Sequence, residues 1–230
     1  MPGAWLALQI PAGKVIEELF EEGLGFDGSS IRGWKPINDS DMILVPDAES
    51  IYFTEHVANF ICDIKDPITS KPYDRDPRYV AYKAEQTVKQ MFGSNCVANF
   101  GPEVEFFVFD NVEWTSEPQS CGFNIISSEA GWNDSGEKVR FKRGYYAETL
   151  ASLRNEMMKE LDYCGLDVEL AHHEVGTAGQ CEISIRYNSL LRKADETMKF
   201  KAIVREVARK HNKLATFMPK PLFKDNGSGF

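Results

Sequence analysis

Two short stretches constrain this chain more than any others. Gly101–Asp110, GPEVEFFVFD, sets two glutamates into an apolar, strand-like run, and Ala171–Glu182, AHHEVGTAGQCE, sets two more beside turn-forming glycines. A carboxylate in apolar surroundings is strongly disfavoured unless paired, at an effective cost of several kcal/mol per ion. Glu103, Glu105, Glu174 and Glu182 therefore need partners. The simplest partner for several convergent carboxylates is a hard divalent cation, Mg²⁺ or Mn²⁺.

Spacing refines this. Glu103 and Glu105 stand at i and i+2, so on a strand they share a face. Glu174 and Glu182 bracket Val175-Gly176-Thr177-Ala178-Gly179-Gln180-Cys181, which can close a tight connection and bring the two glutamates near one another. Adjacent His172 and His173 on a strand point to opposite faces, so at most one could share a site with a given partner. No HExxH motif or Cys/His spacing supports zinc. Taken singly, each feature has an ordinary reading: a solvated edge strand with two exposed glutamates, a surface hairpin, a turn at Phe26–Ser30, a terminal coil at Asn226–Gly229. Neither a P-loop nor a Rossmann fingerprint is present.

The bulk properties narrow the classes. A net charge of −9 argues against nucleic acid and anionic membrane surfaces as main partners. It leaves phosphorylated substrates open, because a bound metal inverts the local field. Five scattered cysteines without a CxxC pair read as reduced thiols in a cytoplasmic protein. The one N-terminal apolar run, Ala4–Ile10, is too short to span a membrane and lacks the flanks of a signal peptide.

The pattern predicts an α+β chain of two domains, 1–70 and 71–230. The first holds strand-like runs at Trp5–Ile10, Asp41–Val45 and Val57–Asp63, with one short helix near Val15–Glu22. Asp66–Arg78, with three prolines, has a linker's composition. Asp76-Pro77-Arg78 then opens a helix that continues to Met91, with Asp at the cap and Pro at the first helical position. Strands are expected at Cys96–Phe100, Glu103–Phe109, Asp167–Ala171, Glu182–Tyr187 and Ala215–Met218, with a weak signal at Phe123–Ile126. Helices are expected over Leu150–Tyr163 and Leu190–His211.

In their order along the chain, five segments resemble glutamine synthetase of the bacterial, type I class. They are FDGSSIRGWKPINDSDMILVPD (Phe26–Asp47), DPR (Asp76–Arg78), GPEVEFFVFD (Gly101–Asp110), HHEVGTAGQCEI (His172–Ile183) and ATFMPKPLFKDNGSG (Ala215–Gly229). The resemblance implies a small β-grasp N-terminal domain followed by part of a catalytic domain, a curved antiparallel sheet with flanking helices. It implies ATP-dependent ligation of glutamate and ammonium to glutamine through a glutamyl phosphate. It also implies a homo-oligomer, a double ring in the family, with sites at subunit boundaries.

Residue by residue, the resemblance assigns Glu105, Glu174 and Glu182 to one metal and Glu103 to a second. Asp27, Ser30, Tyr145 and Glu174 match the ammonium site, with Asp27 serving a neighbouring subunit. Glu169 and Ile185, Arg186 and Tyr187 match nucleotide contacts, and Asn226 and Gly227 match contacts to glutamate. The family pattern continues past Asn226–Gly229 with a histidine-bearing segment and a long C-terminal portion. The 230-residue sequence is therefore expected to be inactive alone and sticky, with an open sheet edge near Ala215–Met218. Two other functions are weighed beside a ligase lineage: a non-catalytic homologue acting as an assembly or regulatory subunit, and an unrelated metal-binding module.

Overall fold

The computed structural model describes residues 5–130 and 148–229, which form two compact units. The first comprises residues 1–100 and 188–195, and the second residues 101–187 and 196–230.

In the first unit, strands β1 (Leu24–Asp27), β2 (Asp41–Pro46) and β5 (Cys62–Lys65) form an antiparallel sheet in the order β1-β2-β5. Helix α1 (Glu17–Glu21) precedes it, and a small hairpin joins β3 (Tyr52–Thr54) to β4 (Val57–Asn59). Met42, Val45, Tyr52 and Ile64 are buried here. Trp5–Ile10 is irregular rather than a strand, and its residues are exposed. The run at 57–63 is split between β4 and β5.

Helix α2 (Pro77–Phe92) starts where the sequence predicts. The Asp76 carboxylate accepts from the Arg78 N–H, and Pro77 occupies the first turn, where a missing N–H costs nothing. The Arg78 guanidinium then pairs with Asp47, Asp63 and Asp195, and its own side chain is 11% exposed. That cation ties the end of β2 and the start of β5 to the second turn of α4 (Leu190–Lys210). Two short strands, β6 (Asn99–Phe100) and β12 (Asn188–Ser189), pair in the same unit.

The second unit is built on a four-stranded antiparallel sheet, order β10-β11-β7-β13. These strands are Val168–His173, Gln180–Ile185, Glu105–Phe109 and Leu214–Thr216. Among the described residues β13 is an edge strand, near the edge expected at Ala215–Met218. Alternation along β7 sends Phe106 and Val108 one way and Glu105, Phe107 and Phe109 the other. Phe106 meets Phe200 of α4 and Phe217. Helix α3 (Ala151–Tyr163) lies against β10 and β11, with Arg154 buried beside Cys181. On the other face Phe107 and Phe109 cluster with Ala130, Ala178 and Leu222.

Val112 and Ile125 add to that cluster from a hairpin, β8 (Asn111–Glu117) and β9 (Ser120–Ile126). The sequence signals only its last third. Trp114 and Phe123 face each other across the hairpin at 75% and 72% exposure, so no apolar-in, polar-out alternation marks these strands. All five cysteines are free thiols, and burial pushes Cys181 up to about 12. No helix among the described residues is long and apolar enough to cross a membrane.

Candidate metal centre

The sheet register assembles the site. Glu105 of β7 stands directly opposite Glu182 of β11, and Glu182 stands directly opposite His172 of β10. Directly opposed residues share a face, so three polar side chains form one row across three strands. Glu174 follows at the end of β10. Its backbone N–H donates to the Gln180 carbonyl at 2.8 Å, which folds the 174–180 turn back onto β11. Gly179, at φ +93°, makes that turn possible, because a Cβ there would lie 2.6 Å from the Val108 carbonyl oxygen.

His172 Nδ1 lies 3.5 Å from Glu174 Oε1, and Nε2 lies 3.6 Å from Glu182 Oε2. One ligand atom from each of His172, Glu174 and Glu182 falls within a 4.8 Å group. The side chains of Glu174 and Glu182 are only 14% and 9% exposed. Burial holds the Glu174 carboxyl above its ordinary value, against a hydrogen bond from the Val175 N–H, and the charges of Glu105 and Glu182 push it the same way. Three hard carboxylate donors beside a borderline imidazole, on one half-buried face with excess negative charge, fit a divalent cation.

The two histidines divide as the strand geometry requires. His173 turns from the row and is almost wholly buried. Its Nε2 meets Glu129 Oε2 at 2.7 Å, and its Nδ1 meets the Glu174 carbonyl at 2.7 Å. Glu129 also accepts from the backbone N–H and hydroxyl of Thr149. The segment carrying Glu174 is thus fixed from the opposite side of the strand.

Strand β7 begins at Glu105, two residues later than the sequence predicts, so Glu103 precedes the ladder and is exposed. Among the described residues, the ligand atoms that converge within 4.8 Å are those of His172, Glu174 and Glu182; Glu105 joins them by strand register, not by that convergence, and Glu103 by neither. Gly227 and Gly229, in contrast, are bonded to the row or its support. The Gly229 N–H donates to Glu105 Oε2 at 2.8 Å, and the Gly227 carbonyl accepts from Gln180 at 2.9 Å.

The nucleotide candidates gather at the far end of β10 and β11. Glu169 is exposed at the register shift between Val168 and Leu170. Ile185 pairs with Val168 and is buried. Arg186 is exposed, with Nη1 3.7 Å from Asp167 and its guanidinium 5.9 Å from the Tyr187 ring.

In the first unit, Asp27 ends β1. Its carboxylate accepts from the Ser29 N–H at 2.8 Å, the Ser29 hydroxyl at 2.6 Å and the Ser30 hydroxyl at 2.8 Å. The Ser29 and Ser30 hydroxyls hold its carboxyl below the usual range. Tyr145 lies outside the described residues. Sequence reasoning missed two members of the site, His172 as a neighbour of the carboxylates and Gln180 as their support. Only the strand register reveals them.

The chain is thus a two-unit α+β protein whose second sheet carries a carboxylate cluster suited to a divalent cation. It belongs to the glutamine synthetase family. The profile for "Glutamine synthetase, catalytic domain" matches residues 74–230, and that for "Glutamine synthetase, beta-Grasp domain" matches residues 1–67. The glutamine synthetase of Aquifex aeolicus (strain VF5) is 49% identical over 239 residues, spanning 99% of this chain and 51% of that protein. That of Escherichia coli (strain K12) is 43% identical over 236 residues, spanning 96% and 50%. The solved structure of Plasmodium falciparum glutamine synthetase aligns with a TM-score of 0.84 at 28% identity, covering 95% of this chain and 46% of that one. The chain spans about half the length of the curated relatives it matches.

Proposed function

We propose that this chain carries part of the active site of a glutamate–ammonia ligase, the site that joins ammonium to glutamate at the expense of ATP. The observation that carries the reading is the row Glu105–Glu182–His172 with Glu174 at its end. Glu105, Glu174 and Glu182 would hold one divalent cation, Mg²⁺ or Mn²⁺, and Glu103 would contribute to a second. When bound, such a cation neutralises phosphate charge and polarises the transferring phosphoryl group.

The chain's own residues supply the rest of its share. Asp27 is an exposed anion held ionised by two serine hydroxyls, which suits binding an ammonium ion. With Ser30, Tyr145 and Glu174 it would form the ammonium site, Asp27 being offered to another copy of the chain in a homo-oligomer. Ammonium must also lose a proton, and Glu174, at the end of the carboxylate row, would stand beside it to receive that proton. Asn226 and Gly227 would hold glutamate. Glu169, Arg186, Tyr187 and the backbone at Ile185 would line the nucleotide's place.

Electron paramagnetic resonance titration with Mn²⁺ tests the reading. One Mn²⁺ should bind more tightly than any other and be lost in Glu182→Gln. Two equally tight sites, or binding indifferent to that substitution, would refute it.

A further inference from the structure

We infer that Gln180 is a positioning residue that couples the Asn226–Gly229 loop to the Glu105 carboxylate. The inference rests on the metal reading above and adds to it a residue, a route and a consequence for the order in which ligands help one another.

Gln180 is 1% exposed, yet its carboxamide is fully engaged. Its Oε1 accepts from the Gly176 N–H at 2.6 Å. Its Nε2 donates to Glu105 Oε2 at 2.9 Å and to the Gly227 carbonyl at 2.9 Å, with Ser228 Oγ 3.4 Å away. Only one amide orientation satisfies these partners, because the Gly176 side offers a donor and the Glu105 and Gly227 side offers only acceptors. A buried amide that lost them would leave polar groups unsatisfied, at about 1–3 kcal/mol each.

The surroundings are shaped to this one side chain. A Cβ at position 176 would sit 2.3 Å from Gln180 Oε1 and 2.8 Å from Phe107 Cζ, so a side chain there would expel the amide. The loop is tied a second time to the same turn, where the Thr177 N–H and hydroxyl both donate to Asp225. The turn at 174–180 therefore touches the site twice. Its first residue is the cation-facing Glu174, and its last holds both Glu105 and the loop.

The bonds to Glu105 are selective. Gln180 Nε2 and the Gly229 N–H both land on Oε2, and neither lands on Oε1. Two donors on one oxygen fix the carboxylate's rotation and leave the other oxygen clear of them. Residues that orient a metal's ligands in this way typically set its affinity by about 10–100-fold. Because Gln180 Nε2 serves Glu105 and Gly227 together, order imposed on the carboxylate by a cation is passed to the loop. By thermodynamic reciprocity, a ligand that orders the loop tightens the cation. Mn²⁺ and an amino-acid ligand on Asn226 and Gly227 should thus assist one another.

Two measurements on the 230-residue chain test this. Hydrogen exchange of the wild type, followed in peptides covering 222–229, should slow when Mn²⁺ is added. In Gln180→Leu, which keeps apolar volume and removes both donor and acceptor, the Mn²⁺ dissociation constant should rise about 10–100-fold. The Mn²⁺-dependent protection of 222–229 should vanish with it. Ser228→Ala, which loses only the longest contact, should keep both properties. A Gln180→Leu protein that melts earlier but binds Mn²⁺ with wild-type affinity would make Gln180 merely structural and overturn the inference. If Gln180→Leu does not fold, the wild-type exchange decides: Mn²⁺ protection of 105 and 174–182 without any at 222–229 also overturns it. A wild type that binds no Mn²⁺ would bring down the metal reading, and this inference with it.

Discussion

The carboxylate of Asp27 and those of the second sheet face opposite electrostatic problems. Asp27 is exposed and satisfied within three residues, by hydroxyls and an N–H of its own loop. Its environment favours the charged form and asks for nothing more. Glu105, Glu174 and Glu182 are gathered from two distant sequence segments onto a half-buried face, where each charge opposes the others. That arrangement favours a countercharge. On the proposed reading, the first region would meet a monovalent cation from solvent and the second would be completed by a divalent one.

The contrast can be broken at several points. The largest effect should come from the platform beneath the second region. Phe107 is fully buried and its ring abuts the 176 turn, so Phe107→Ala should cost about 3–5 kcal/mol in denaturant unfolding. Mn²⁺ binding should fall with it, as the turn loses its floor.

Next comes the cluster itself. Glu182→Gln should weaken Mn²⁺ by about 100-fold or more, the upper end of what loss of even a supporting residue costs. Without metal the same variant should melt no lower than wild type, because a neutral amide replaces one of three repelling charges and can still accept from Ser184. A metal-free Glu182→Gln that melts well below wild type would show that the cluster is stabilising unaided.

Asp27→Asn, by contrast, should leave Mn²⁺ affinity unchanged, and a weakened affinity would erase the division between the regions. The smallest effect is on the Asp27 titration. Carbon-13 NMR should place its midpoint below the ordinary 3.8, and replacing Ser29 and Ser30 together by alanine should move it upward. The sign is that of a depressed carboxyl: the stability it contributes is present above its unfolded value and is lost as pH falls through the folded one. A midpoint indifferent to both serines would mean that the hydroxyls do not hold the charge.

Much of the fold and of the site is legible in the amino-acid sequence. Apolar periodicity locates α2, α3 and α4, and the capping Asp76 with Pro77 marks one start to the residue. Carboxylates set among phenylalanines demand a partner on chemical grounds alone. What stays hidden needs the register. His172 looks like half of a doublet until β10 is aligned on β11, when it falls opposite Glu182 while His173 turns to Glu129. Gln180 carries no charge, so nothing in its chemistry announces that it joins Glu105, 75 residues before it, to Gly227, 47 residues after it. The β8–β9 hairpin escapes because its exposed aromatic pair obscures the two inward residues, Val112 and Ile125. The strand expected at Glu103–Phe109 starts two residues late, at Glu105, so the register that sets Glu105 opposite Glu182 does not extend to Glu103.

The central claim is that the sheet register builds a divalent-cation site from Glu105, Glu174 and Glu182 with His172 beside them. Paramagnetic broadening of backbone amides by substoichiometric Mn²⁺ tests it most directly. The first signals to vanish should be those of Glu105, Ala171–Glu174 and Glu182. The exposed acidic helix at Glu17–Glu21 offers a competing surface of like charge without convergence. Broadening that begins there, or spreads evenly over the acidic surface, would contradict the claim.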